Sequence, residues 1–122
     1  MIRKAIRQAE KSQFTRARVG AVIVRGGRIL GVGSNRVRYY HQQRTHPHRH
    51  IQSLHAEIAA ILDVRNPSQL KGSTMFVARI KKDGSLALAK PCAYCQRVIN
   101  NFGIKRVVFT TDTGEIQNGS ND

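Results

Sequence analysis

The chain has 122 residues, which is enough for one domain with a single buried core. Its hydrophobic fraction of 40% is typical of a globular protein, and its apolar runs are too short to predict a membrane span. The 21 Lys and Arg residues against 7 Asp and Glu residues give a net charge of +14. Twelve of these basic residues and one acidic residue lie in residues 1–50. This imbalance favours an anionic partner, either a nucleotide phosphate or a nucleic acid strand.

Hydrophobic periodicity predicts seven elements in the order α-β-β-α-β-α-β. The first helix is amphipathic, the two strands after it are joined by Gly26-Gly27 as a hairpin, and Gly103 ends the last helix. Residues 112–122 are polar and are predicted to form a loose tail of a single domain, 1–122. The predicted elements span residues 2–11, 19–24, 29–32, 54–64, 74–80, 92–102 and 106–111.

Residues 36–53 are predicted to form a long loop, and a loop of this length in a small domain is usually functional. Its basic character predicts contact with a phosphate or a nucleic acid, whereas its histidines leave a second metal site as an alternative. Tyr39 and Tyr40 can stack on a base or pack into the core, and the sequence does not distinguish these roles. The charged and histidine residues of this loop are Arg36, Arg38, His41, Arg44, His46, His48, Arg49 and His50.

The most informative motifs are His55-Ala56-Glu57 and Pro91-Cys92-Ala93-Tyr94-Cys95. One imidazole and two thiolates can hold a zinc ion and leave its fourth position open to water. Glu57, two residues after His55, can then carry protons. A Cys-x-x-Cys pair alone is equally compatible with a redox pair or a disulfide. The combination of both motifs, with the two cysteines at the start of a helix, favours a catalytic zinc site with His55, Cys92 and Cys95 as ligands and Glu57 as the acid/base.

On these motifs the chain resembles the cytidine and deoxycytidylate deaminase superfamily. Further matching segments are Val19-Gly20-Ala21-Val22-Ile23-Val24, Gly33-Ser34-Asn35 and Val107-Val108-Phe109, so the resemblance covers about residues 1–110. It implies a three-layer α/β/α sandwich with a mixed central sheet, in which two neighbouring helices bring His55 to Cys92 and Cys95.

The resemblance also implies the substrate contacts. Asn35 is expected to contact the sugar hydroxyl, and the backbone N–H of Ala56 to contact the base. Lys90 and Pro91 complete the expected substrate-binding set. Lys90 departs from the small polar residue or glutamate that is commoner before this proline in the family. This departure leaves the base specificity open, and a lysine at this position can contact a phosphate.

Three functions follow as hypotheses. The first is a zinc-dependent deaminase of a cytosine nucleotide of the dCMP or CMP type, as the small size and the resemblance favour. The second is a deaminase of cytosine or adenine in single-stranded DNA or RNA, as the charge favours. The third is a non-catalytic zinc module that binds nucleic acid, against which Glu57 argues because a structural zinc site needs no proton carrier. The expected cofactor is Zn²⁺, the expected partners are a pyrimidine nucleotide and further copies of the chain, and the expected location is the cytoplasm.

Overall fold

A six-stranded mixed sheet forms the centre of the fold. The computed structural model describes residues 1–14, 17–38, 52–114 and 116–120. The helices are α1 (Ile2–Glu10), α2 (Ala56–Asp63) and α3 (Ala93–Asn101), and the strands are β1 (Arg18–Arg25), β2 (Arg28–Ser34), β3 (Arg36–Arg38), β4 (Gln52–Leu54), β5 (Thr74–Ile80), β6 (Leu86–Ala87), β7 (Arg106–Thr110) and β8 (Ile116–Ser120). The main strand order is β2-β1-β5-β7-β8, and the short β6 pairs with β5. Among the described strand pairs only β5 and β7 are parallel, and α3 is the crossover between them.

Alternation along the strands builds two apolar layers. On one face, Ala21 and Ile23 of β1 and Met75 and Val77 of β5 pack in the larger core with apolar residues of α2 and α3. On the other face, the intervening strand residues pack with Ala5 of α1. Successive strand side chains point to opposite faces, so one continuous sheet serves both layers. The predicted three-layer α/β/α sandwich is confirmed.

All seven predicted elements are present, with small shifts at their ends. Two predictions were wrong. The segment predicted as a loop over 36–53 contains two short strands, β3 and β4, which pair with each other; residues 39–51 lie outside the described residues. The segment predicted as a loose tail contains β8, which pairs antiparallel with β7 because a sheet edge offers unpaired backbone groups. The sequence also did not predict β6 or the 3₁₀ turn Pro67–Leu70. None of the described helices is long and apolar enough to cross a bilayer.

Pairing of β3 with β4 brings two distant parts of the chain together. Arg36 lies opposite Leu54 in this ladder. Asn35 immediately precedes β3 and His55 immediately follows β4, so the two residues lie at the same end of the ribbon. The pairing of β3 with β4 therefore places the Asn35 side-chain amide next to the motif that begins at His55.

The position of α2 depends on a close approach to β2. A methyl group on Gly33 would lie 2.5 Å from the backbone nitrogen of Ala60 and 2.7 Å from the carbonyl oxygen of Ala56. Only a residue without Cβ fits there. A hydrogen bond of 3.0 Å from the Val32 N–H to Asp63 Oδ2 joins the same strand to the far end of the helix. The first turn of α2, which carries the first motif, is thereby fixed against the sheet.

Candidate functional site

The beginnings of α2 and α3 meet at a cluster of metal-binding side chains. His55 is the N-cap of α2 and Cys92 is the N-cap of α3, while Cys95 lies buried in the first turn of α3. The three ligand atoms all lie within 4.8 Å of one another. His55 Nδ1 is 3.2 Å from Cys95 Sγ and 3.7 Å from Cys92 Sγ. Two motifs separated by 37 positions in sequence thus form one site.

The donor set fits zinc. Nitrogen and sulfur ligands bind zinc at about 2.1 and 2.3 Å, and tetrahedral angles place such ligand atoms about 3.6 Å apart. The observed nitrogen-to-sulfur distances of 3.2 and 3.7 Å bracket this value. The group contains no fourth His, Cys, Asp or Glu within the part of the chain that the structure describes. Three protein ligands are the number found in catalytic rather than structural zinc sites.

Burial disfavours the thiolate form of Cys95. Burial, with smaller contributions from Glu57 and from Cys92, raises the pKa of the Cys95 thiol above its usual range. The Cys95 N–H, in the first turn of α3, donates to Cys92 Sγ at 3.4 Å. Zinc binds the thiolate form of cysteine, so zinc binding at this site would displace the Cys95 proton.

Glu57 is the second residue of α2 and lies close enough to His55 and Cys95 for their charges to interact. Its side chain is 6% exposed, an unusual degree of burial for a glutamate. Burial raises the pKa of the Glu57 carboxyl, while a backbone hydrogen bond and the nearby His55 partly oppose the rise. A raised pKa brings a carboxyl closer to the range in which one group can both accept and release a proton during a reaction.

A cavity of about 260 Å³ opens beside this cluster. The wall of the cavity is formed by the metal-binding motifs, the beginning of β1, the end of β5 and the segment before α3. A second cavity, of about 290 Å³, is lined by residues of β2 and α2 and in part by Arg36. The residues that line the first cavity are Ala17, Val19, Asn35, His55, Ala56, Glu57, Arg79, Leu88, Ala89, Lys90 and Cys92.

Asn35 lines the cavity, but most of the hydrogen-bonding capacity of its side-chain amide is used by partners within the protein. Asn35 Oδ1 accepts hydrogen bonds from Ser12 Oγ at 2.6 Å and from the Val19 N–H at 2.9 Å. Asn35 Nδ2 donates to the Ala17 carbonyl at 2.8 Å. These backbone partners fix the orientation of the amide, and one N–H of Nδ2 remains for a ligand. A substrate hydroxyl in contact with this amide can therefore only accept a hydrogen bond from it.

The backbone that Asn35 holds is unusual. Ala17 has φ of 50° and is a non-glycine residue in the left-handed region. That conformation costs about 1–2 kcal/mol for a residue with a Cβ. The Asn35 amide bonds to the carbonyl of Ala17 and to the N–H of Val19, so it restrains this turn at the edge of the cavity.

The structure brings most of the predicted site residues together. Ala56 lines the cavity and, as the first residue of α2, has an N–H with no acceptor inside the helix. Lys90 also lines the cavity, whereas Pro91 is buried and is not part of its lining. Arg36, which belongs to the basic segment predicted to contact a phosphate, lines the second cavity and is not among the lining residues of the first. The predictions for the loop histidines, for Tyr39 and Tyr40, and for Arg44 and Arg49 lie outside the described residues.

Five lining residues were not predicted as site residues: Ala17, Val19, Arg79, Leu88 and Ala89. Among these residues, Arg79 is the one that carries a charge. A usable signal existed, because Met75, Val77 and Arg79 alternate on one face of a predicted strand and only the last is polar.

An α/β/α sandwich with a His-Cys-Cys cluster and a buried carboxylate at two helix N-termini defines a zinc-site domain. A family model described as "Cytidine and deoxycytidylate deaminase zinc-binding region" matches residues 1–111, and the chain belongs to that family.

Curated and solved relatives agree with this placement. Human deoxycytidylate deaminase is 29% identical over 119 residues, a match that covers 88% of this chain and 61% of the human protein. The chain thus spans less than two thirds of that relative's length. The dCMP deaminase of cyanophage S-TIM5 is 25% identical with a TM-score of 0.63, covering 90% of this chain and 79% of the phage protein. A cytidine deaminase from Burkholderia pseudomallei has the same fold, with a TM-score of 0.69 at 21% identity and coverage of 98% and 88%.

Proposed function

We propose that the protein is a zinc-dependent hydrolytic deaminase that converts a cytosine mononucleotide of the dCMP or CMP type to the uracil nucleotide and ammonia. The observation that carries this proposal is the convergence of His55, Cys92 and Cys95 beside the buried Glu57 at the wall of one cavity. A purely structural zinc site does not require an acid/base group at this position.

His55, Cys92 and Cys95 are the proposed metal ligands. Zinc bound there supplies a Lewis acid that brings the pKa of water to about 7. Ala56 and Asn35 orient the substrate: the free N–H of Ala56 donates to the base, and the remaining N–H of Asn35 Nδ2 donates to a sugar hydroxyl.

Glu57 carries the protons of the reaction. Its carboxylate takes a proton from the attacking water and delivers it to the ring nitrogen next to the carbon that carries the amine. It then transfers the second proton of that water to the leaving amine, so that ammonia departs and Glu57 ends as it began. The raised pKa of the carboxyl supports both halves of this cycle.

The substrate assignment has independent support from relatives. The curated human relative is named a deoxycytidylate deaminase, and a cyanophage S-TIM5 relative was crystallised with dCMP and dUMP. A polynucleotide substrate is the second candidate, because the net charge of +14 favours any polyanion.

The deciding experiment incubates the zinc-loaded protein with cytidine, deoxycytidine, CMP, dCMP, and cytosine-containing single-stranded DNA and RNA. We expect uracil product from dCMP or CMP, and about one zinc per chain in the purified protein as the three-ligand site requires. Turnover of a strand with none of either mononucleotide would replace the proposal with the second candidate. The Cys92→Ser variant is expected to lose zinc, and a variant with full zinc content and activity would refute the ligand assignment.

A further inference from the structure

Arg79 interrupts an apolar row on β5. Met75 and Val77 are fully buried and face the core under α2 and α3. Arg79 is the next residue on the same face, because side chains alternate along a strand. It lies directly opposite Val19 of β1, and both residues line the cavity. A long cationic side chain thus occupies the position where this row leaves the helix layer and reaches the cavity.

Lys90 brings a second cation to the same cavity from the segment before α3. Both cations are exposed, whereas Glu57, the one acidic residue among the described lining residues, is buried at the start of α2. The solvent-exposed charge among these lining residues is therefore positive, whereas the carboxylate is buried in the first turn of the helix that follows His55. A ligand that fits this distribution carries an anionic group at the end remote from its reacting atom.

We infer that Arg79, together with Lys90, binds the phosphate group of the substrate and makes the site selective for a nucleoside monophosphate over the corresponding nucleoside. This inference rests on the proposed deaminase function and adds its phosphate subsite. Arg79 is the main contact, since a guanidinium can bind two phosphate oxygens at once. Lys90 adds a single mobile charge.

The test compares Arg79→Gln with Arg106→Gln, which removes the same charge from an exposed arginine at the other end of the neighbouring strand. The measurement is kcat/KM for dCMP and for deoxycytidine with each zinc-loaded variant. In Arg79→Gln, the preference for dCMP over deoxycytidine should fall by about 10- to 100-fold, equivalent to about 1.4–2.8 kcal/mol, with the loss mainly in KM. Arg106→Gln should keep the parent preference.

Arg79→Lys should recover part of the preference, because it restores charge without the two-point geometry. Recovery of this kind separates phosphate binding from a packing role, which lysine would not restore. A dCMP preference in Arg79→Gln within about twofold of the parent value would overturn the inference, whatever the stability of the variant.

A binding measurement separates this inference from the proposed function. Calorimetry with dUMP and with deoxyuridine requires no turnover. We expect the parent protein to bind dUMP more tightly and Arg79→Gln to lose that advantage. Absence of deamination with this pattern intact would refute the function and leave the phosphate subsite standing. Equal affinity of the parent for the two ligands would overturn the subsite.

Discussion

Replacing Asn35 with alanine tests whether its side chain stabilises the backbone at the edge of the cavity in addition to lining the cavity. The side chain makes three hydrogen bonds, to Ser12 Oγ at 2.6 Å, to the Val19 N–H at 2.9 Å and to the Ala17 carbonyl at 2.8 Å. Alanine makes none of them. Two backbone groups, the N–H of Val19 and the carbonyl of Ala17, then lose their partner in a half-buried segment.

A buried polar group left without a partner costs about 1–3 kcal/mol. Both groups are only partly shielded from water, so we expect the lower part of that range for each and a total loss of about 2–4 kcal/mol in the free energy of unfolding. The left-handed turn at Ala17 also loses its restraint, which lowers kcat/KM through misplacement of the cavity wall.

The assay is urea unfolding of zinc-loaded protein at pH 7, with Ser12→Ala as the matched control. Ser12→Ala removes the hydroxyl that donates to Asn35 Oδ1 and to the Asn35 carbonyl and that accepts from the Phe14 N–H. It leaves the Val19 N–H and the Ala17 carbonyl paired, so it should cost less, about 1–2 kcal/mol. A loss in Asn35→Ala no larger than that in Ser12→Ala would refute the reasoning. Asn35→Asp, which keeps the acceptor for Val19 and loses the donor to Ala17, should fall between the two.

Two further predictions concern the packing of α2 and a turn. Gly33→Ala should destabilise the fold by about 1–3 kcal/mol and reduce zinc retention, because its methyl group displaces the first turn of α2. Thermal unfolding and zinc content, measured with Ser34→Ala as the control, test this prediction. Hydrogen bonds from the Ser85 hydroxyl and N–H hold the pKa of Asp83 below its usual value, so Ser85→Ala should raise that pKa in an NMR titration. A carboxyl whose pKa is lowered by folding stabilises the protein at pH values above its unfolded pKa, and this stabilisation is lost as the pH falls through its folded pKa. The difference in free energy of unfolding between the parent and Ser85→Ala should therefore be present at neutral pH and vanish in strong acid. A difference that does not change with pH would contradict this prediction.

The metal-binding cluster was predictable from sequence because its chemistry is local. His55 and Glu57 share one helix turn, and Cys92 and Cys95 share another, so each pair follows from spacing. The meeting of the two pairs across the core is not local and came from the family resemblance. The structure places His55 Nδ1 3.2 Å from Cys95 Sγ, so that the two pairs form one site.

Other features could not be predicted for physical reasons. The ribbon of β3 and β4 consists of three-residue strands, which are too short to show a period of two. The strand β8 contains Asn118, Gly119 and Ser120, which have low strand propensity, and it exists because the edge of β7 accepts a partner. The hydrogen bonds of the Asn35 amide could not be predicted, because backbone partners such as the Ala17 carbonyl carry no sequence signal.

The central claim is that Glu57 carries the protons in a zinc-dependent deamination. The most direct measurement is the kcat for dCMP of Glu57→Gln and of the parent protein at matched zinc content. Glutamine keeps the size of the side chain and removes its acid/base function. We expect equal zinc content and a kcat lower by at least about 100-fold, the usual contribution of a positioned acid/base group. A zinc-loaded Glu57→Gln variant with kcat within a few-fold of the parent would contradict the account.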